Sequence, residues 1–355
     1  MKLRSICSEA FRNIACGTTR AFLLGILLAA ITGGLAISDA RSVIGIEHDA
    51  ADFVTSGASV RVLVAQRTTD GAACERLSGV SGVRAAGALK ETDAVVLRAM
   101  LANPIPAYTV TPGLIELLGG TAAAPAGAWI PAGLARTLGV RPGQQLPTTA
   151  GPVTIAGVYD FPDDGRDSRL NYAALFPQAA TGTYDECWAD VWPLSETRDQ
   201  LLYSAITVDK STADPVSVGR LNASRGTRFD GVALFEQRPT RYALPGCVLA
   251  GLLLGFLAIR LRRLEIAGAL HIGETRRAVL ATVLLETAAW AAGALLLAAC
   301  ALVFGVLTGA PADPLGVYLI DVRGPAAAAC AAPAGAVLAT FTIREKHLFR
   351  YFKNR

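Results

Sequence analysis

Charge is scarce in this chain. Asp, Glu, Lys and Arg make up 17% of its 355 residues, hydrophobic residues make up 52%, and the mean hydropathy is +0.41. An ordinary soluble domain carries about 25% charged residues, so the composition excludes a purely soluble chain. It is also too mixed for one built of membrane spans alone. The net charge is only +4, and no long basic tract with interleaved aromatics occurs, which excludes a nucleic-acid partner of the usual kind. Histidine is nearly absent. His48, His271 and His347 lie far apart, against a histidine triad or a zinc site. No G-x-x-x-x-G-K-[ST] occurs, so this chain carries no P-loop of its own, and no G-x-S-x-G elbow is present. GLARTLG and GGTAAAPAG contain glycine but are not dinucleotide fingerprints. Asp160, Asp163, Asp164 and Asp167 lack the alternating ligand spacing of a calcium loop and read as a solvated acidic turn. No catalytic residues, metal ligands or cofactor site emerge, and the chain reads as a non-enzyme.

What the chain does have is four apolar segments near the length of about 20 residues that a bilayer needs. They lie at 21–37, 242–259, 287–307 and 325–343. The fourth is mostly alanine and carries Pro333, so it should rely on packing against other helices. Positive residues flank them unevenly. Lys2, Arg4, Arg12 and Arg20 precede the first. Arg260, Arg262, Arg263, Arg276 and Arg277 lie between the second and third. Arg344, Lys346, Arg350, Lys353 and Arg355 follow the fourth, whereas 308–324 holds one arginine and two aspartates. Positive residues stay in the cytoplasm, which puts both termini and 260–286 inside and 38–241 outside. The other reading of 21–37 is a cleaved signal peptide, because Ser38-Asp39-Ala40 resembles a small-x-small cleavage site. The lead of roughly 20 residues is long for one. It also has its own pattern, with Leu3, Ile6, Ala10, Phe11 and Ile14 on one helical face, as expected of a surface helix lying on a membrane. We therefore read 1–20 as a cytoplasmic amphipathic helix and 21–37 as a retained span, with Gly25, Ala29 and Gly33 as a small-residue contact face.

The fold class expected is thus a membrane protein of four transmembrane α-helices with an α/β (α+β) domain between spans 1 and 2. In that domain, ASVRVLVAQ reads as a strand, DGAACERLSGVSG as a helix and VRAAGAL as a strand, followed by ETDAVVLRAM as another. NPIPAYTVTPGL should break regular structure. AGLARTLG reads as a helix closed by Gly139, and VRPGQQL and GPVTIAGVYDF as a turn and strands of a small β-rich subdomain. The stretch 163–192 reads as irregular, YSAITVD as a strand, 215–224 as a helix, and 234–242 as a helical approach to the membrane. Cys74 and Cys187 are the two cysteines on the outside, and either pair in a disulfide or stay as buried thiols. Cys7, Cys16, Cys247, Cys300 and Cys330 lie in or beside the membrane segments or in the cytoplasm.

The segment 260–286, RLRRLEIAGALHIGETRRAVLATVLLE, stands out because it is charged yet keeps helical spacing. The second span should extend to about Leu270. Gly273 can take a left-handed conformation and break the helix, Thr275 can cap the next helix, and Arg276 and Arg277 sit in its first turn. Glu286 would be costly in lipid and should face other helices or the interface. Basic anchors alone would not require Glu265, Gly273 or Glu286.

These residues resemble the permease subunits of the MacB/FtsX type of ABC transporter. Their cytoplasmic elbow reads roughly R-R-x-E-[IL]-A-…-G-[AM]-[ST]-R-R-x-[IV], with a later Glu. Arg262, Arg263, Glu265, Ile266, Ala267, Gly273, Thr275, Arg276, Arg277, Val279 and Glu286 match it without a gap. Leu270, His271 and Glu274 depart from it. EAFRNI…RAFLLGI is similar to the family's amphipathic helix and start of its first span, and WIPAGLARTLGVRPGQQL…VTIAGVYD to its MacB-like extracytoplasmic domain. The resemblance implies that 260–286 is a coupling helix seated in a separate cytoplasmic ABC ATPase, which would bind ATP and magnesium. A second permease, as homo- or heterodimer, would complete a complex in the bacterial cytoplasmic membrane. An extracytoplasmic adaptor, lipoprotein or hydrolase would be a further partner. The expected work is mechanotransmission for export or extrusion of a substrate. The alternatives are an FtsX-like signalling subunit that regulates a cell-wall hydrolase, and an ATPase-independent membrane-anchored receptor.

Overall fold

The structure is a computed structural model, and it describes residues 3–120, 126–207, 216–226 and 228–343. The basic tail expected at 344–355, with its five cations, and Lys2 lie outside the described residues. Two helices open the chain, α1 (Leu3–Ala15) and α2 (Ala21–Thr55). There follow β1 (Val60–Asp70), α3 (Gly71–Arg76), β2 (Val83–Leu97), β3 (Met100–Val110), α4 (Pro112–Leu117), β4 (Ala128–Pro131) and α5 (Ala132–Leu138). Next come β5 (Gln145–Thr148), β6 (Gly151–Tyr159), β7 (Ala174–Pro177), β8 (Thr183–Val191), α6 (Glu196–Leu201) and β9 (Ser217–Arg220). The remaining helices are α7 (Gly231–Gln237), α8 (Ala243–Leu261), α9 (Arg263–His271), α10 (Arg276–Gly309), α11 (Pro314–Asp321) and α12 (Arg323–Thr342). The chain divides into a helical unit, Met1–Asp49 with Gly231–Arg355, and a sheet unit, Ala50–Asp230.

Among the described residues, four helical stretches are long and apolar enough to cross a membrane: Ala21–Thr55, Pro239–Leu261, Arg276–Gly309 and Pro314–Thr342. One precedes the sheet in the chain and three follow it. The first is longer than the apolar run at 21–37, because no proline falls between Ser38 and Thr55 and the helix runs on through Gly45 and the polar residues there. The alanine-rich fourth stretch packs closely. A Cβ on Gly251, Gly255 or Gly335 would collide with the backbone oxygens of Ala328, Ala332 and Leu252 respectively, so α8 and α12 meet backbone to backbone. This is how small residues join helices where no water drives association. The small face of α2 is likewise in contact, Gly25 against Trp290 and Gly33 against Ala298. Ile6 and Ala10 of α1 are buried and α1 packs on α10, while Phe11, expected on the same face, is 75% exposed.

In the sheet unit the strand order is β3-β7-β4-β6-β5-β2-β8-β1-β9, with β3 also paired to β2. Six strands therefore close on themselves (β2, β3, β7, β4, β6, β5), and β8, β1 and β9 extend from the first half of β2. Most pairs are antiparallel, but β3–β7 and β4–β6 are parallel. The two strands expected at VRAAGAL and ETDAVVLRAM are one, because β2 runs through the open and closed parts without a turn. NPIPAYTVTP, expected as a break, is mostly β3. Pro104 and Pro106 are exposed and lie before Ala107, where pairing to β7 begins, so their missing N–H costs no bond to β7. The stretch expected to be irregular holds β7 and β8, and β8 is central, with Trp188 fully buried. YSAITVD is a 3-10 turn at Leu202–Ala205 with an isolated bridge from Ile206 to Thr69, and its last two residues lie outside the described residues. Within 215–224, residues 217–220 form strand β9 instead of a helix, because Val218 packs into the apolar cluster over β1. AGLARTLG is helix α5, closed by Gly139 at φ 65°. The acidic turn is solvated at Asp160, Asp163 and Asp167, which are exposed, and tied at Asp164. Asp164 accepts from Arg166 Nε and Nη2 at 2.8 and 2.7 Å, and Arg166 also donates to the Thr55 carbonyl at the end of α2.

Cys74 on α3 and Cys187 on β8 form a disulfide, with Cα atoms 5.7 Å apart and both residues buried. It closes a separation of 113 residues, a length at which cross-links stabilise small domains by about 2–5 kcal/mol. Cys74→Ser should lower the thermal midpoint and abolish the reductant-dependent mobility change on a gel. A wild-type protein whose mobility ignores reductant would show that no bond forms. The hydrogen bonds from Arg166 hold the Asp164 carboxyl below its usual range. A depressed carboxylate contributes stability above its unfolded pKa and loses it as pH falls through the folded value. Asp164→Asn should therefore flatten the loss of stability below about pH 4, as read from thermal midpoints across that range.

Candidate functional site

The segment 260–286 folds as a tight helical elbow. Helix α8 ends at Leu261, and Arg262 leaves helical geometry at φ −102°, ψ 16° before α9 begins. Helix α9 then runs for nine residues and stops at His271. Gly273 adopts φ 99°, its N–H donates to the Leu270 carbonyl at 3.2 Å, and the Glu274 N–H donates to Ala269 at 3.1 Å. That pair of bonds is a Schellman closure, which requires a left-handed residue where Gly273 stands. Thr275 starts α10 as expected of a cap, its Oγ1 accepting from the Ala278 N–H at 3.3 Å.

The charges inside the elbow are organised around Arg262. Its Nε and Nη2 donate to Glu265 at 2.9 and 2.6 Å, and its Nη1 donates to Glu286 Oε2 at 2.5 Å. Glu286 is buried, and its other oxygen accepts from Asn13 Nδ2 at 2.7 Å. Burial alone would lower the Arg262 pKa, but the hydrogen bonds to Glu265 and the charge of Glu286 outweigh it and hold the guanidinium protonated above its ordinary value. Around this network Ile259, Ile266, Ala267, Val279, Val283, Ala336 and Ala339 form one apolar cluster, so α9 is packed against α10 and α12.

The structure thus joins Arg262, Glu265 and Glu286, and assigns Gly273 and Thr275 backbone roles. It does not bring Arg276 and Arg277 into the network. Both are exposed at the start of α10, at the same turn as exposed His271 and Ile272, the latter 87% exposed. Arg263 is half-buried. Asn13 is the participant that sequence reasoning missed. The signal is its spacing: Ile6, Ala10 and Asn13 fall four and three residues apart, which puts a polar side chain on the buried stripe of α1. No group of three or more His, Cys, Asp or Glu side chains among the described residues is arranged to hold a metal ion.

Removing one partner from a buried pair costs about 3–5 kcal/mol because the other charge is stranded. A single hydrogen bond to a charged group contributes about 1.5–3 kcal/mol. Glu286→Ala should therefore lower the thermal midpoint in detergent more than Asn13→Ala, and both more than Arg277→Ala. A reversed order would mean that Glu286 is not the centre of the network.

Comparison with protein-family models and with curated proteins returns no match. Among solved structures, one described as "a domain of a putative Permease protein from Porphyromonas gingivalis" aligns with 46% of this chain and 90% of that one. The identity is 15% and the TM-score 0.32, a likeness too slight to carry an argument about fold or function.

Proposed function

We propose that this chain is the permease subunit of an ABC transporter of the MacB/FtsX type, and that 260–286 is its coupling elbow. The observation that carries this reading is how the elbow is built. Its inner side chains are committed to one another through Arg262, Glu265, Glu286 and Asn13. Its tip is rigidly supported yet exposes His271, Ile272, Arg276 and Arg277. A membrane anchor needs cations near the interface, but not a Schellman-closed turn on a packed apolar base. The proposed partner is a separate cytoplasmic ATPase that supplies ATP and magnesium binding, and a second permease completes the complex. The work is mechanotransmission, which moves the sheet unit to extrude or release a substrate on the outer side. The uneven distribution of Arg and Lys supports placing the elbow in the cytoplasm. The Cys74–Cys187 disulfide supports placing the sheet unit in an oxidising compartment, since the free cysteines Cys7, Cys16, Cys247, Cys300 and Cys330 all belong to the helical unit.

The test is affinity purification of the tagged chain from its native host in mild detergent, with mass spectrometry of the proteins that accompany it. A P-loop ATPase should co-purify. Arg276→Glu with Arg277→Glu should lose it without changing the thermal midpoint, because these exposed side chains do little for the fold. Glu265→Lys should lose it as well. Gly273→Pro should also lose it, by removing an N–H that closes α9 and forbidding the left-handed conformation. An ATPase retained by all of these variants would sink the coupling role.

A further inference from the structure

Strands β1 and β2 both leave β8 at the same level of the sheet. β1 pairs with β8 from Val60–Asp190 to Val64–Glu186, and the register then jumps to Thr69–Tyr184. β2 pairs with β8 as far as Leu89–Glu186 and continues beside β3, meeting β5 only at Leu97–Thr148. Asp185 stands at this parting. Its Oδ1 accepts from the Arg67 N–H at 3.0 Å and its Oδ2 from the Glu91 N–H at 3.1 Å. Arg67, inside the jump, holds φ 57°, a conformation that non-glycine residues seldom keep outside specialised sites. One carboxylate thus pins the separated strands at a fixed gap.

The gap opens on a cavity of about 710 Å³, within the size range of small-molecule sites. Its floor is the buried Glu186, which accepts from Arg169 Nη1 and Nη2 at 2.6 Å each and from Trp188 Nε1 at 2.7 Å. The Arg169 guanidinium also lies over the Trp188 ring. The half-buried Asp185 and the buried Glu186 are therefore already bonded, Asp185 to two backbone N–H groups and Glu186 to three side-chain N–H groups. The lining groups with free capacity are mostly donors. The Arg67 guanidinium, the Lys90 ammonium and the Tyr108 hydroxyl line the cavity with no hydrogen-bond partner among the described residues, and Lys90 is steadied over the Tyr184 ring at 5.2 Å. Glu91 is the one lining carboxylate not already bonded among the described residues. Two free cations and a phenolic donor against one free carboxylate suit an oxygen-rich anion, and charge-assisted bonds to phosphate are of this type.

We propose that this cavity is a binding site for a phosphate-bearing small molecule or lipid headgroup, held by Arg67, Lys90 and the Tyr108 hydroxyl. The inference is independent of the coupling elbow, since every residue in it belongs to the sheet unit.

The test uses the full chain in dodecyl maltoside micelles, which carry no phosphate, at constant ionic strength. Thermal unfolding is followed against glycerol 3-phosphate and, as a control, acetate. A saturable rise in midpoint with glycerol 3-phosphate and none with acetate is expected for a soluble phosphate ester. If the rise appears only when phosphatidylglycerol is added to the micelles, the site takes a headgroup. In either case Arg67→Gly and Lys90→Gln should each weaken the effect about tenfold, and Tyr108→Phe severalfold. Arg67→Gly removes the side chain and suits the left-handed backbone, so the fold is kept. No rise with either phosphate source, an equal rise with acetate, or an undiminished rise in the Arg67→Gly, Lys90→Gln double variant would overturn the proposal.

Discussion

A carboxylate in an apolar helix must be met by donors from elsewhere in the chain, and Glu286 dictates much of the helical unit in this way. Leaving it bare in a low-dielectric setting would cost several kcal/mol, and α10 around it offers mainly Ala, Leu and Val. Its two oxygens are filled by Arg262 and Asn13. Arg262 is available because α8 stops at Leu261 and the chain turns there. Asn13 is available because α1 lies along α10. One buried acid therefore fixes three segments that are far apart in sequence. The apolar cluster of Ile259, Ile266, Val279 and Val283 closes over the same junction, so moving α9 would cost both the charge pairing and the packing.

The second constraint is distance. Alanine gives a helix little reason to stay in a bilayer, and α12 is largely alanine with Pro333 inside it. Its stability has to come from contact, and dispersion gains depend on atoms meeting without gaps. Gly251 and Gly255 on α8, and Gly335 on α12, remove the side chains that would hold the two backbones apart. The face of α8 that carries these glycines also buries Leu254 and Ala258, while Leu249, Leu253 and Leu257 stay exposed. The helix thus has a small-residue side for its neighbour and a leucine side suited to lipid.

The features legible in the sequence are those set by short-range chemistry. Gly273 and Thr275 act through their own neighbours, so a glycine after a helical run and a threonine before the next one are enough to place the break. Gly139 after α5 is the same kind of signal. The burial of Glu286 is legible from cost alone, though its partner Asn13 is not, since 273 residues separate them. Strand β8 shows why other elements stay hidden. TYDECWADV carries three acidic residues in nine, which argues against a central strand, yet each of them has a distant partner. Asp185 takes backbone N–H groups of β1 and β2, Glu186 takes Arg169, and Asp190 takes Ser59 and Arg84. Similarly, Pro104 and Pro106 read as breakers because a sequence does not say which side of a strand will be left unbonded.

The elbow separates residues that serve its own fold from residues that do not. Arg262, Glu265 and Glu286 hold one another, Gly273 and Thr275 shape the backbone, and Ile266 and Ala267 fill the core beneath. His271, Ile272, Arg276 and Arg277 are exposed on the turn that these residues support. An isoleucine that is 87% exposed contributes almost nothing to folding. On a mobile loop it would have no consequence. On a rigid turn beside two exposed arginines it offers a preorganised contact that a partner can bind with little further ordering, and preorganisation is what makes a small surface useful in binding. That separation of duties supports a docking role for the tip in a way that the count of positive charges, shared by any topology signal, does not.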